Sequence, residues 1–359
     1  MNESAFSESY TQARERFLQA AVAADAEIHR YPVSSQLPED LSIDVACLGP
    51  RDAPTLVTSS GVHGVEGFIG SAIQFAWLQQ AGPAACAGPL RHVLIHAVNP
   101  YGFATIRRFD EQNIDVNRNF LTPTESYAGV ADGYRRVNAF LNPTTPPTPW
   151  ELYRPRAMLQ VARHGLRAIQ QAVAGGQYEF PRGLFFGGHA PSQSAQLIKP
   201  ACDAWIAAGQ PVMHLDFHTG LGRYGICHLL LGEAETADSL AWYSQTFGAS
   251  SLELPAAPGG VSYHTRGAFV AWMQRHFGVV RYRAATAEFG TYAPIRVLGA
   301  LRAENRAYNY GQPTSRWYQA AKREILECFC PSDPKWRHQV LTTGLTLVDQ
   351  AQQGLRRGE

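Results

Sequence analysis

What this chain lacks narrows it before any motif is read. Its charges nearly cancel, with 31 Lys and Arg against 30 Asp and Glu for a net charge of +1. No basic face or acidic tail is implied, which excludes nucleic acid and anionic membrane surfaces as partners. No apolar run approaches the ~18 residues that a membrane span requires. The opening Met1-Asn-Glu-Ser-Ala-Phe-Ser-Glu8 has neither the basic nor the apolar stretch of a secretory signal. Cysteine is sparse: six residues lie scattered, Cys328-Phe-Cys330 is too tight for an ordinary structural pair, and no Cys-x-x-Cys spacing occurs. Reduced thiols in a cytoplasmic protein are therefore expected. There is no internal repeat and no low-complexity tail. With 45% hydrophobic and 17% charged residues, the 359-residue chain is globular, with a sizeable core. That length suits one long α/β unit, and nothing in it sets an oligomeric state.

Against that plain background, four short stretches stand out: His63-Gly-Val-Glu66, Asn113-Ile-Asp-Val-Asn-Arg-Asn-Phe120, Asp216-Phe-His218 and Ala287-Glu-Phe-Gly290. The first follows Thr55-Leu-Val-Thr58, a buried-strand pattern, and lies in a turn rich in glycine (Gly61, Gly64, Gly67, Gly70). A helical pattern then begins, with Ile69, Ile73, Ala76 and Trp77 at spacings of three and four. Ligands at a strand-to-helix junction lie where open α/β sheets bind small molecules. His218 leaves the strand Val212-Met-His-Leu-Asp-Phe217 in the same way, and Asp216 on that strand face can accept its other ring N–H. Two His and one carboxylate, with one position left open, form the ligand set of a catalytic zinc that activates water. One zinc ion on His63, Glu66 and His218 is the reading these residues support.

The segment Asn99-Pro-Tyr-Gly-Phe-Ala-Thr-Ile-Arg-Arg-Phe-Asp110 follows the apolar strand Val93–Val98 and runs into the Asn113–Phe120 stretch. It gathers Arg107, Arg108, Asn117, Arg118 and Asn119 with little helical periodicity. Guanidinium beside amide is hardware for holding a carboxylate. Glu288 closes the long strand pattern Val279–Phe289, after the third ligand and at the sheet end where the other groups gather.

The chain resembles the zinc carboxypeptidase superfamily, which also contains the N-acyl amino acid deacylases aspartoacylase and succinylglutamate desuccinylase. The matching residues are His63-x-x-Glu66, Asn99-Pro-x-Gly102, Arg107-Arg108, Asp115-x-Asn117-Arg118-Asn119-Phe120, His218 and Glu288. They span roughly residues 50 to 310, and the whole is most similar to a sparsely characterised bacterial branch. The resemblance implies that His63, Glu66 and His218 hold zinc and that Glu288 is the general base. It makes Arg108, or its neighbour Arg107, the oxyanion stabiliser, and Asn117 with Arg118 the grip on a substrate carboxylate. It also suggests a phenol from a loop before the base, for which Tyr263 has the right place, with Tyr224, Tyr282 and Tyr292 as rivals. Asp216-Phe-His218-Thr219 is similar to the Asp-x-His-Thr of desuccinylases, whereas Asn99-Pro-x-Gly102 and the Asn-Arg-Asn-Phe run lean towards peptidases.

The alternation of strand and helix patterns predicts a three-layer α/β sandwich, a mixed and mainly parallel sheet with helices on both faces. Expected elements include an N-terminal helix over Ser7–His29 with Phe17, Leu18, Ala21 and Val22 on one stripe. Strands are expected over Ile226–Leu231 and Val279–Phe289, and helices over Ile295–Tyr308, Ser315–Cys328 and Leu341–Leu355. One domain, residues 1–359, is interrupted by an insert at about 121–210. This insert carries a Pro-rich loop, a helix over about Trp150–Ala174 and glycine turns, and is expected to wall the mouth of the site. His189, beside two glycines, reads as a loop residue. The functional expectation is a zinc-dependent, carboxypeptidase-like amide hydrolase acting on a small peptide. The alternatives are a deacylase of N-acyl amino acids and, outside enzymes, an inactive ligand-binding module.

Overall fold

The computed structural model describes residues 3–148, 150–165, 169, 171, 175–232, 235–254 and 265–357. Eight strands make one sheet: β1 (Glu27–Pro32), β2 (Ser42–Leu48), β3 (Thr55–Ser60), β4 (Arg91–His96), β5 (Val212–Thr219), β6 (Cys227–Leu231), β7 (Leu252–Glu253) and β8 (Tyr282–Phe289). Their order is β1-β2-β4-β3-β5-β8-β6-β7. The central β4-β3-β5-β8 strands run parallel. β1, β2 and β6 join them antiparallel, and the short β7 pairs parallel with β6. Every residue of β2, β3, β4 and β5 is buried, as expected where helices cover both faces of a sheet.

Eleven helices are formed among the described residues. These are α1 (Tyr10–Ala23), α2 (Gly67–Ala81), α3 (Pro100–Ala104), α4 (Asp132–Leu141), α5 (Tyr153–His164), α6 (Gln193–Trp205), α7 (Ala237–Phe247), α8 (Phe269–Phe277), α9 (Pro294–Tyr310), α10 (Arg316–Phe329) and α11 (Pro334–Arg356). On one face Ile73, Gln74 and Trp77 of α2 and Val348 of α11 pack over Leu56, Thr58, His92, Leu94 and Phe217. On the other, Phe269 of α8 meets His214 of β5 and Phe120. The result is the expected three-layer, mixed and mostly parallel arrangement. None of the described helices is long and apolar enough to cross a membrane.

Three local expectations need correcting. The N-terminal helix is shorter than Ser7–His29: Ser9 caps its start by accepting from Gln12 N–H, and it closes at Ala24. Asp25 then turns the chain with φ +57 into β1, which carries His29. The helix buries Tyr10, Ala13, Phe17, Ala20 and Ala21, so Val22 faces solvent. The helix expected over about Trp150–Ala174 is α5, Tyr153–His164, with part of the sequence beyond it outside the described residues, and α4 and α6 flank it within 121–210. The last helix begins earlier than Leu341, because Pro334 sits at its first turn and Asp333 accepts from Lys335 N–H. All six cysteines are free.

Candidate active site

The candidate residues converge at the carboxyl ends of the parallel strands. His63 follows β3, Arg107 and Arg108 follow α3 after β4, and His218 and Glu288 stand opposite each other near the ends of β5 and β8. Why His63 and Glu66 sit beside Arg108 is a matter of backbone contact. Gly64 packs so closely on Gly102 that a Cβ there would lie 2.0 Å from the Gly102 carbonyl carbon. This approach lets Gly64 N–H donate to Arg108 O at 3.2 Å and Val65 N–H donate to Arg107 O at 2.7 Å. Only glycine permits it.

Three donor atoms meet at the centre. His63 Nδ1 lies 2.9 Å from Glu66 Oε1, His218 Nδ1 lies 3.1 Å from His63 Nδ1, and His218 Nδ1 lies 3.0 Å from Glu66 Oε2. All three residues are at least 96% buried. Glu66 Oε2 also accepts from Thr219 N–H at 3.0 Å, which ties it to the end of β5. Two imidazole nitrogens and a carboxylate at these separations fit a zinc ion well. Contacts of about 2.0–2.2 Å to one tetrahedral ion set its ligand atoms about 3.3–3.6 Å apart, so the three donors need part by only a few tenths of an ångström. The donor chemistry, borderline nitrogen with one oxygen, suits the same ion.

Each imidazole has an outer carboxylate on its far nitrogen. His218 Nε2 lies 2.6 Å from Asp216 Oδ2, and His63 Nε2 lies 3.3 Å from Asp115 Oδ1. Asp115 was visible in the sequence only as part of a motif; its role as the partner of His63 depends on a contact across 52 residues. Arg108 joins the cluster. Its Nε donates to Asp115 Oδ2 at 3.0 Å, its Nη1 to Glu66 Oε1 at 3.4 Å, and its Nη2 lies 2.6 Å from His63 Nε2. Arg107 points elsewhere. It donates to Glu304 Oε1, Asn113 Oδ1 and Asp110 O, and its guanidinium stacks 3.3 Å from the Tyr308 ring centre. Of the two neighbours, Arg108 belongs to the site and Arg107 to a buried support beneath it.

The surroundings drive the two glutamates apart. Burial alone would raise Glu66, yet His63 and His218 hold it well below the usual carboxylate range. For Glu288 the balance goes the other way: burial and the charge of Glu66 outweigh His218, the Leu221 N–H and Arg108 and push it up to about 7. Its Oε1 accepts from Leu221 N–H at 2.8 Å in the turn after β5. Burial opposes the charge on His218, but Asp216 and Glu66 outweigh it and raise that imidazole well above its ordinary value.

Asn117 and Arg118 lie in a short 3-10 turn, Val116–Arg118, capped by Asp115, which accepts from Asn117 N–H. Asn117 Oδ1 accepts from Phe269 N–H at 2.9 Å, so its amide nitrogen is the half that could meet a carboxylate. Arg118 is buried and its Nη1 donates to Asn117 O. The insert packs directly on this segment. Asp115 N–H donates to Phe186 O, Tyr178 O–H donates to Arg118 O, and Asn119 Nδ2 donates to Gly187 O and Ala190 O. The Phe185 ring lies under the Arg108 guanidinium, 5.1 Å from its centre. None of these insert contacts had a sequence signal, since each is made by a loop with no periodicity. His189 is an exposed loop residue on the ring edge of Phe186. Tyr263 lies outside the described residues. Of its rivals, Tyr282 is fully buried within the sheet, and Tyr224 and Tyr292 pack on each other.

Sheet, helical layers and site together define a carboxypeptidase-like α/β fold. A provisionally assigned carboxypeptidase from Burkholderia mallei shares it with a TM-score of 0.50 at 10% identity, over 98% of this chain and 68% of that one. Carboxypeptidase A from Helicoverpa armigera aligns over 89% of this chain and 73% of its own, with a TM-score of 0.48 and 10% identity. The murein-tripeptide amidase MpaA from Escherichia coli O157 aligns over 78% and 91%, with a TM-score of 0.39 and 16% identity. No curated protein matches the sequence. The chain belongs to the family described as "Protein of unknown function (DUF2817)", whose model matches residues 6–343.

The separation of the two arginines is testable. Arg107→Ala removes one of two cations on the fully buried Glu304 and leaves Lys322 in place, a loss expected to cost about 1.5–3 kcal/mol, the worth of hydrogen bonds to a charged group. Urea denaturation measures it, and an unchanged midpoint would remove Arg107 from the support.

Proposed function

We propose that this protein is a zinc-dependent amide hydrolase of carboxypeptidase type, one domain with an insert at about 121–210, acting in the cytoplasm on a peptide amide beside a free carboxylate. The observation that carries this reading is the convergence of His63 Nδ1, His218 Nδ1 and a Glu66 carboxylate at about 3 Å, with Glu288 and Arg108 alongside. A solved fold of 10% identity speaks for the architecture alone; the chemistry is argued from these side chains.

His63, Glu66 and His218 would hold the ion, which supplies Lewis acidity and brings the pKa of a water it polarises to about 7. Glu288 takes a proton from the attacking water and delivers it to the departing amine. An acid raised to about 7 by burial and by Glu66 is suited to both halves of that transfer. Arg108, held in place by Asp115, stands where negative charge grows on the former carbonyl oxygen. Arg118 and the Asn117 amide fix the far end of the substrate, so that attack becomes a question of position. Phe185, Tyr178 and the loop around them close off water from the buried charges.

A second reading, hydrolysis of an N-acyl amino acid, draws on the Asp216-Phe-His218-Thr219 run and on the 2.6 Å contact between Asp216 and His218. Parallel panels of dipeptides and N-acyl amino acids distinguish the two. An inactive ligand-binding module would turn over neither.

Wild-type protein purified from zinc-replete medium is expected to carry one zinc. His63→Ala and His218→Ala should each lose metal and activity while remaining folded; wild type without bound metal under those conditions would end the zinc reading. Glu288→Gln should keep zinc and KM but lose at least about 100-fold in kcat. Near-normal turnover would assign the base elsewhere. Amidating the substrate carboxylate should lower kcat/KM at least ~30-fold, because the charge-assisted pairing of that carboxylate with Arg118 is lost. Arg118→Ala should erase that discrimination with zinc still bound, and equal cleavage of free and blocked substrates by the wild type would dismiss the clamp.

A further inference from the structure

Behind the metal ligands, on the face of the sheet covered by α8, five buried side chains form one continuous line of hydrogen bonds. Tyr282 Oη lies 2.9 Å from His214 Nδ1, and His214 Nε2 lies 2.7 Å from Ser59 Oγ. Ser59 O–H donates to Asp216 Oδ1 at 2.6 Å, and Asp216 Oδ2 lies 2.6 Å from His218 Nε2. Ser59, His214, Asp216 and Tyr282 have no exposed surface. Strand geometry assembles the line. His214, Asp216 and His218 alternate onto one face of β5, Ser59 is the register partner of Asp216 on β3, and Tyr282 comes from β8.

Counting protons gives every bond in the line a direction. A carboxylate accepts and cannot donate, so Asp216 takes the Ser59 hydroxyl proton and the Nε2–H of His218. Ser59 then has no proton left, and its contact with His214 must be one that it accepts. That puts the His214 proton on Nε2 and leaves Nδ1 as the acceptor for the Tyr282 hydroxyl. Burial pushes His214 down to about 4, and pushes Tyr282 well above its ordinary value, so both are neutral near pH 7 as the scheme requires. Reversing His214 would leave Ser59 unable to donate to Asp216, with two oxygens 2.6 Å apart and no proton between them. Only one orientation satisfies the whole line, and at its end His218 carries its proton on Nε2.

Burying this much polar surface in the centre of a sheet is costly unless every member is satisfied. Aliphatic residues would fill the same space without that demand. Because Tyr282 is enclosed, the line does not lead to solvent and is not a route for protons. Its one open end is His218 Nδ1, the nitrogen that gives up its proton when a metal binds, which faces His63 Nδ1 and Glu66.

We propose that Ser59, His214 and Tyr282 are positioning residues that act through Asp216 to hold His218 as the Nε2–H tautomer, with Nδ1 presented to the metal, and thereby set the affinity of the site for zinc. This rests on the zinc reading of His63, Glu66 and His218. It extends that reading to three residues that touch neither metal nor substrate.

The experiment has two arms. In metal-free protein labelled with 15N-histidine, NMR recorded at a pH above the raised value of His218, where its imidazole is neutral, reports the tautomer; in the same variants, titration with Zn2+ reports affinity. Wild type should show a single Nε2–H tautomer. Ser59→Ala should mix the two tautomers and weaken zinc binding about 10–100-fold. Tyr282→Phe, which keeps the ring and removes only the hydroxyl, should shift both readouts in the same direction by less, and it carries the test if Ser59→Ala does not fold. Ser60→Ala is the control: its hydroxyl donates to Gln74 on the other face of the same strand. That variant should lose stability with tautomer and affinity unchanged. The proposal is overturned if Ser59→Ala keeps both the tautomer and the zinc affinity of wild type, or if Ser60→Ala weakens zinc binding equally. If the wild type binds no Zn2+, the zinc reading fails and the role assigned in setting affinity is overturned with it. The tautomer arm then decides the ordering of His218 alone: mixing in Ser59→Ala supports it, and an unchanged tautomer overturns it.

Discussion

The rest of this structure is organised by the need to keep carboxylates out of water at the carboxyl edge of the sheet. Glu66, Asp115, Asp216 and Glu288 are all nearly or wholly buried there. An unpaired buried charge costs several kcal/mol, so each has a dedicated answer. Glu66 has two imidazoles and the Thr219 amide, Asp115 has Arg108 and His63, and Asp216 has His218 and Ser59. Glu288 is the exception. Its hydrogen bond from Leu221 N–H does not offset its burial beside Glu66. Of these four, the carboxylate the fold leaves least compensated is the one proposed to exchange a proton.

The same constraint explains the packing of residues 177–192 and the arginine pair. Residues 177–192 cover the Asn113–Phe120 segment by exchanging hydrogen bonds with it in both directions, and the guanidiniums of Arg108 and Arg118 lie buried beneath. Arg107 and Arg108, adjacent in sequence, leave the chain in different directions. One enters the Glu304–Lys322 network, which anchors α9 and α10 beneath the site, and the other enters the site itself. A strand that alternates its side chains supplies the remaining order, because His214, Asp216 and His218 share one face of β5 and line up behind the centre.

Much of this was legible in residue order. The βα junctions after β3 and β5, the long strand ending at Glu288 and the helices from Pro294 onward have patterns set by local propensity and periodicity, which neighbours in sequence decide. Less legible were β1, which the helical start concealed, and Val22, whose place on the stripe depended on how α1 sits on α2 and β1. The 3-10 turns at Gly64 and Val116 left no periodic trace, because they are held by contacts from Arg107, Arg108 and Phe186.

The sequence by itself determined the chemical inventory: two histidines and a glutamate of ligand type, a second glutamate at a strand end after His218, arginines beside asparagines, and an alternating order that admits few folds. Tertiary structure alone decided which arginine faces the centre, which carboxylate stands behind each histidine, and that Ser59, His214 and Tyr282 join Asp216 and His218 in a single line. The reason is physical. Propensity and periodicity act over a few residues, whereas the direction of a proton in a buried hydrogen bond is set by partners 155 residues apart in the chain, as for Ser59 and His214.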